Sequence, residues 1–280
     1  MKAYVVDLKK EYGLQGGELA CSLMDNPRDL GNVDYAQWKR PALIVVPGGG
    51  YGMVSKREGE PVSTGFLGRG FQTFVLTYLC GGENGVSYPE QLLELAASVD
   101  YVKKHADELG VNKAEVFVVG FSAGGHLTGN LAVEYEKAAA LLGGNVDCKP
   151  TAVGLSYPVI TEEGHRGSYN NLLYGYTDEA KAELLKTLEL HKAVTEQTPP
   201  AFLWAMSKDA GVPPDKNVLL YALALAQKGV DYELHVYPNG YHGTSTGTRE
   251  INGTDPSLIR TRVWMDDCAA FFRLYITEPF

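Results

Sequence analysis

Short, continuous apolar runs rich in β-branched residues alternate along the chain with segments of helical periodicity. The runs fall at 42–46, 73–79, 115–119, 152–157, 201–206 and 232–237. Continuity, rather than strict alternation, predicts strands covered by helices on both faces. Two earlier runs, 3–8 and 18–24, alternate more and are separated by the stretch from Gly13 to Gly17. They predict an antiparallel hairpin at a sheet edge.

The intervening segments carry helix signals. Ser55-x-x-Glu58 and Ser87-x-x-Glu90 both match the capping box, and Pro89 suits a first turn, where no N–H is needed. Leu92, Leu95, Ala96, Val99, Val102, Ala106 and Leu109 then recur at helical spacing until Gly110. Further helices are predicted over 124–135, over 215–228 with Asp215 as its cap, and from Asp255-Pro256 through Trp264 and Phe272.

Strand–helix repetition of this kind forces parallel pairing, so the expected fold class is α/β. We read residues 1–280 as a single domain with a mostly parallel central sheet flanked by helices. The stretch 160–200 breaks the alternation. It holds one helical pattern, 178–190, behind a tyrosine-rich lead-in, and reads as a small lid-like insertion covering a site.

Composition narrows the partners. The hydrophobic fraction of 45% and charged fraction of 21% are those of a globular chain, and exclude disorder. With 25 Lys+Arg against 34 Asp+Glu the formal charge is -9, which repels phosphate backbones and anionic lipid heads. Neither nucleic acid nor membrane is an expected partner. No apolar run approaches the roughly 20 residues of a membrane span, and charges occupy the place of a secretory leader's apolar stretch. Cys21, Cys80, Cys148 and Cys268 form no Cys-x-x-Cys, so a reduced, cytoplasmic protein is expected. Both a monomer and a homo-oligomer fit the sequence.

The sharpest chemical signal is Gly120-Phe121-Ser122-Ala123-Gly124-Gly125, set between a strand-like run and a helical one. A serine on a tight strand-to-helix turn needs small neighbours two residues away on each side. Its hydroxyl becomes nucleophilic only beside a base. Among six histidines, His126 shares the serine's helix and reads as structural, while His235 lies inside a predicted strand and His105 at a helix end. His165 and His191 lie in the insertion. His242, flanked by Gly240 and Gly243 in a loop after the last strand, is the expected base. Asp209, just past the strand 201–206, is the acid expected to orient it; Asp215 and Asp231 compete less well. The loop Pro47-Gly48-Gly49-Gly50-Tyr51 follows the first central strand and offers bare backbone for an oxyanion, with Ala123 as a further donor. It lacks the Lys-Ser/Thr ending of a phosphate loop. Tyr51, Tyr169, Tyr174 and Tyr176 are candidates for an aromatic substrate wall, with Tyr51 nearest the glycines; packing over the core explains them equally well. No cluster has metal-ligand spacing, and no cofactor is expected.

Together these residues resemble the α/β-hydrolase superfamily, in particular its carbohydrate-esterase-like branch of acetyl xylan esterases, acetylesterases and small feruloyl esterases. The resemblance covers most of the chain. It is carried by Pro47 to Tyr51, Ser55-x-Arg57-Glu58-Gly59-Glu60-Pro61-Val62, Gly120 to His126, Ser156-Tyr157-Pro158-Val159, Thr198 to Phe202, Asp209-x-x-Val212-Pro213 and Gly229 to Gly243. It implies a triad of Ser122, Asp209 and His242, in the chain order usual for that fold. It also implies oxyanion donors at Gly49, Gly50 and Ala123, with Gly48 and Tyr51 left as alternative donors in the loop. The activity implied is that of a serine carboxylesterase removing short acyl groups, chiefly acetyl, from sugars or xylo-oligosaccharides. A small peptidase or amidase and a feruloyl esterase are the enzymatic alternatives; a ligand receptor would not need all three triad positions filled. Two features depart from the pattern. Pro47 stands where related loops carry histidine, and the polar segment 243–254 is long, which suggests an extended site rim.

Overall fold

The computed structural model describes residues 1–25 and 39–277. Its strands are β1 (Lys2–Asp7), β2 (Glu18–Leu23), β3 (Arg40–Val46), β4 (Gln72–Thr77), β5 (Val111–Phe121), β6 (Val153–Ser156), β7 (Ala201–Met206) and β8 (Tyr232–Tyr237). The first five helices are α1 (Leu8–Tyr12), α2 (Glu60–Leu67), α3 (Glu90–Lys104), α4 (Ala106–Leu109) and α5 (Ala123–Leu141). They are followed by α6 (Arg166–Leu172), α7 (Asp178–Leu188), α8 (Val218–Lys228), α9 (Arg249–Asn252) and α10 (Trp264–Arg273).

The strands form one sheet in the order β1-β2-β4-β3-β5-β6-β7-β8. From β4 to β8 every pairing is parallel, while β2 runs antiparallel to both β1 and β4. The expected hairpin therefore sits at the sheet edge, although α1 occupies its connection and Gly13, left-handed at φ 71°, ends that helix. Every residue of β6 and β7 is buried, and in β3 only Arg40 is not. Burial on both faces is why these runs are continuous in the sequence. Each fully covered Val, Leu, Ile or Phe contributes about 1.5–3 kcal/mol of transfer free energy. Among the described residues no helix is long and apolar enough to cross a membrane.

Several helix starts differ from expectation. In two of them the acid of the cap pattern, Glu58 or Glu90, is used over long range. Ser55 makes no cap hydrogen bond, and Glu58 is buried. The helix expected after Ser87 begins at Glu90, behind a cis Tyr88–Pro89 peptide, and the Glu90 carboxylate accepts instead from the backbone and side chain of Gln15 (2.7 and 3.1 Å). Asp215 lies in a short 3-10 turn and α8 starts later, at Val218. Asp255 does cap its turn, accepting from Ser257 N–H at 2.8 Å. The insertion between β6 and β7 contains two helices, α6 and α7, where the sequence indicated one. All four cysteines are unpaired.

Candidate active site

Parallel strands deliver their following loops to one edge of the sheet, and the loops after β3, β5, β6, β7 and β8 meet there. At the end of β5, Ser122 adopts φ 53° and ψ -116°, a left-handed conformation costly for a residue with a side chain. The close quarters that hold it are built from glycine. A Cβ on Gly120 would lie 2.2 Å from the Gly124 carbonyl oxygen, and one on Gly124 would lie 2.2 Å from the Val46 oxygen. The turn is tied into the sheet: Ser122 N–H donates to the Ser156 carbonyl (3.0 Å), and the Ser122 carbonyl accepts from Val159 N–H (3.1 Å).

Ser122 Oγ is 2.7 Å from His242 Nε2, and His242 Nδ1 is 2.7 Å from Asp209 Oδ2. Asp209 is fully shielded from solvent, whereas the His242 side chain keeps 28% of its exposure. The remaining Asp209 oxygen accepts from the backbone N–H groups of Gly211 and Val212, each at 2.9 Å. The carboxylate is thus fixed by its own turn. An ionised carboxylate only accepts, so Nδ1 carries the proton and Nε2 is free to accept from the serine hydroxyl. The structure brings Ser122, Asp209 and His242 into one hydrogen-bonded chain.

The glycine loop passes over the serine. A Cβ on Gly48 would lie 2.6 Å from the Phe121 oxygen and 3.0 Å from Ser122 Cβ. Gly49 and Gly50 have φ of 124° and 63°, and neither N–H makes a hydrogen bond among the described residues. Ala123 opens α5, so its N–H has no partner within the helix. None of these three amides has a hydrogen-bond partner among the described residues.

Sequence reasoning missed Glu58. Its buried carboxylate accepts from Gly48 N–H (2.9 Å) through one oxygen and from the Tyr157 hydroxyl (2.7 Å) through the other. The Tyr157 ring packs edge-on against His242, with centroids 5.1 Å apart, and its oxygen accepts from Ser245 N–H at 2.9 Å. Glu58 therefore links the glycine loop to the support of the histidine. Tyr78 adds a second anchor by donating to the Pro47 carbonyl (3.0 Å), so the loop is held without a histidine at position 47. The one available signal was Glu58's place in the stretch 55–62 that carried the family resemblance.

Tyr51 and Tyr169 do not face a cleft. They are 1% and 3% exposed, and their hydroxyls are committed inward. Tyr51 OH meets His126 Nδ1 at 2.8 Å, and His126 Nε2 meets the Leu188 carbonyl at 2.8 Å. A carbonyl only accepts, so Nε2 bears the proton and Tyr51 donates to Nδ1. Burial pushes His126 down to about 4, and the imidazole stays neutral as a clasp between the glycine loop and α7. Tyr174 is exposed, and Tyr176 donates to the Tyr88 carbonyl. The segment after His242 is no open rim where it starts. Thr244, Ser245 and Thr246 are buried, with Ser245 Oγ on the Arg57 carbonyl and its own carbonyl on Trp264 Nε1.

A family model described as BD-FAE matches residues 29–223, a stretch that includes Ser122 and Asp209 and stops before His242. The chain is 35% identical over 219 residues to an endo-1,4-beta-xylanase B of Butyrivibrio fibrisolvens, covering 76% of this chain and 34% of that protein. It is 30% identical over 241 residues to an acetylxylan esterase of Xylanibacter ruminicola, covering 82% of this chain and 44% of that one. It thus spans about a third to under a half of these relatives. Among solved structures, an acetyl ester-xyloside bifunctional hydrolase from Caldicellulosiruptor lactoaceticus superposes with a TM-score of 0.77 at 31% identity, over 92% of this chain and 88% of that one. A carboxylesterase from Lactobacillus plantarum shares the fold, with a TM-score of 0.81 at 24% identity and 98% of both chains covered. The chain belongs to the BD-FAE family and has the α/β-hydrolase fold.

Proposed function

We propose that the protein is a serine ester hydrolase that removes acetyl, or another short acyl group, from sugars such as xylo-oligosaccharides. The observation that carries this reading is the unbroken hydrogen-bonded chain from Ser122 Oγ through His242 to buried Asp209, lying beneath a glycine loop with unpaired amides. Ser122 Oγ attacks the ester carbonyl while His242 Nε2 takes its proton. The negative charge on the former carbonyl oxygen is received by the N–H groups of Gly49, Gly50 and Ala123. His242 then passes the proton to the departing sugar oxygen, leaving an acyl-enzyme. Water, activated by the same imidazole, releases the acid. Asp209 holds the imidazole in the tautomer this needs and stabilises its transient charge. The likeness to an acetylxylan esterase and to an acetyl ester-xyloside hydrolase supports acetyl and a xyloside as the two halves of the substrate.

Mass spectrometry of acetylated xylo-oligosaccharides, incubated with wild type and with Ser122→Ala, tests the reading. Acetyl loss with wild type alone is expected. Sugars left untouched by a wild type that still hydrolyses p-nitrophenyl acetate would remove the sugar substrate and keep the serine chemistry.

A further inference from the structure

The insertion after β6 is fastened to the serine turn, to the loop that follows Asp209 and to the glycine loop before its first helix is complete. Val159 N–H donates to the Ser122 carbonyl at 3.1 Å. Ile160 N–H then donates to Asn217 Oδ1 at 2.8 Å, and Asn217 Nδ2 donates to the Pro213 carbonyl at 2.9 Å, in the loop that begins at Asp209. On α6, Asn171 Nδ2 donates to the Gly50 carbonyl at 2.9 Å, and Ser168 Oγ lies 3.9 Å from where a Gly50 Cβ would stand. His165 sits between these tethers, at the residue that caps α6.

Its ring is locked. Nδ1 accepts from Ser168 N–H at 3.1 Å and lies 2.9 Å from Ser168 Oγ. A backbone N–H can only donate, so Nδ1 holds a lone pair and the neutral ring carries its proton on Nε2. Nε2 makes no hydrogen bond among the described residues, and the residue is half-buried. We propose that His165 is a substrate-binding residue whose Nε2–H donates to a hydroxyl oxygen on the alcohol half of the ester, beside the acylated position. This rests on the sugar-ester reading and adds to it the group that recognises the sugar. Ser168 thus joins the His165 ring to the glycine loop at Gly50. Burial, followed by the charge of His242, holds His165 below the usual histidine range, and Asp209 acts in the opposite direction. Neutrality keeps the single tautomer in place at neutral pH.

The test separates the cap from the donor. His165→Asn retains a side-chain acceptor suited to capping α6 but lacks the reach of Nε2, whereas His165→Gln restores an N–H farther along the chain. The readout is the ratio of kcat/KM for a monoacetylated methyl xyloside, which bears free hydroxyls, to that for phenyl acetate, which bears none. The Asn variant is expected to lower this ratio about three- to tenfold, the worth of one hydrogen bond, with recovery in the Gln variant. A ratio unchanged in His165→Asn, in an enzyme that deacetylates the xyloside, overturns the role of His165 alone. A wild type that cleaves phenyl acetate but no acetylated sugar overturns this inference and the sugar reading together.

Discussion

A carboxylate accepts two hydrogen bonds at once, and Glu58 uses one oxygen for the glycine loop and the other for the tyrosine behind His242. An amide there would offer one acceptor and one donor group. Its oxygen could keep the Gly48 N–H, but its NH2 would then face the Tyr157 hydroxyl, and the Tyr157 O–H would lose its acceptor. Glu58→Gln is therefore expected to lower kcat about tenfold with a smaller change in KM, because donors displaced from a developing oxyanion act on the chemical step. Thermal unfolding within a few degrees of wild type would separate this from general loss of structure. Ser122, Asp209 and His242, which the structure joins by hydrogen bonds, could be singled out in the sequence because each is marked locally, through a glycine-flanked turn or a place just past a strand. Glu58 was not, because its partners Gly48 and Tyr157 lie 10 and 99 residues away. Within its own neighbourhood it forms the pattern of a helix cap. For Tyr51 the sequence left a substrate wall and core packing open. Its φ of 60° accompanies a ring turned into the core.

Between elements, the junction of α3 with the end of β4 carries a buried acid. Glu94 Oε2 accepts from Leu79 N–H at 2.9 Å, and its other oxygen has no partner among the described residues. Burial pushes the carboxyl up to about 8; the Leu79 N–H opposes this and the charge of Glu90 reinforces it. The folded chain thus holds a proton that the unfolded chain releases near 4.5. Stability should fall as pH rises from about 4.5 to about 8 and level off above, by an amount of the order of a few kcal/mol from this group. Urea unfolding at pH 5, 7 and 9 measures it, and Glu94→Gln should flatten the dependence. The central strands were legible because two-sided burial writes a continuous apolar run into each. The helix starts near 87 and 215 were not, since Glu90 and Asn217 spend their side chains on distant partners.

Across the whole molecule, alternation of strand and helix was enough to anticipate a mostly parallel sheet flanked by helices. How the insertion docks was invisible, because its contacts with Asn217, Gly50 and His126 depend on which strands become neighbours. That order also distributes risk. Ser122 follows β5, which is flanked on both sides, but His242 follows β8, which among the described residues pairs only with β7 and has only Tyr237 buried. Terminal strands with little buried apolar surface open at lower free energy than central ones. In a urea titration, ester hydrolysis should disappear at a lower concentration than far-UV circular dichroism does. The catalyst would then fail from its margin inward. A molecule can be silent while its middle is still intact, and it regains its chemistry as soon as one peripheral ribbon re-seats.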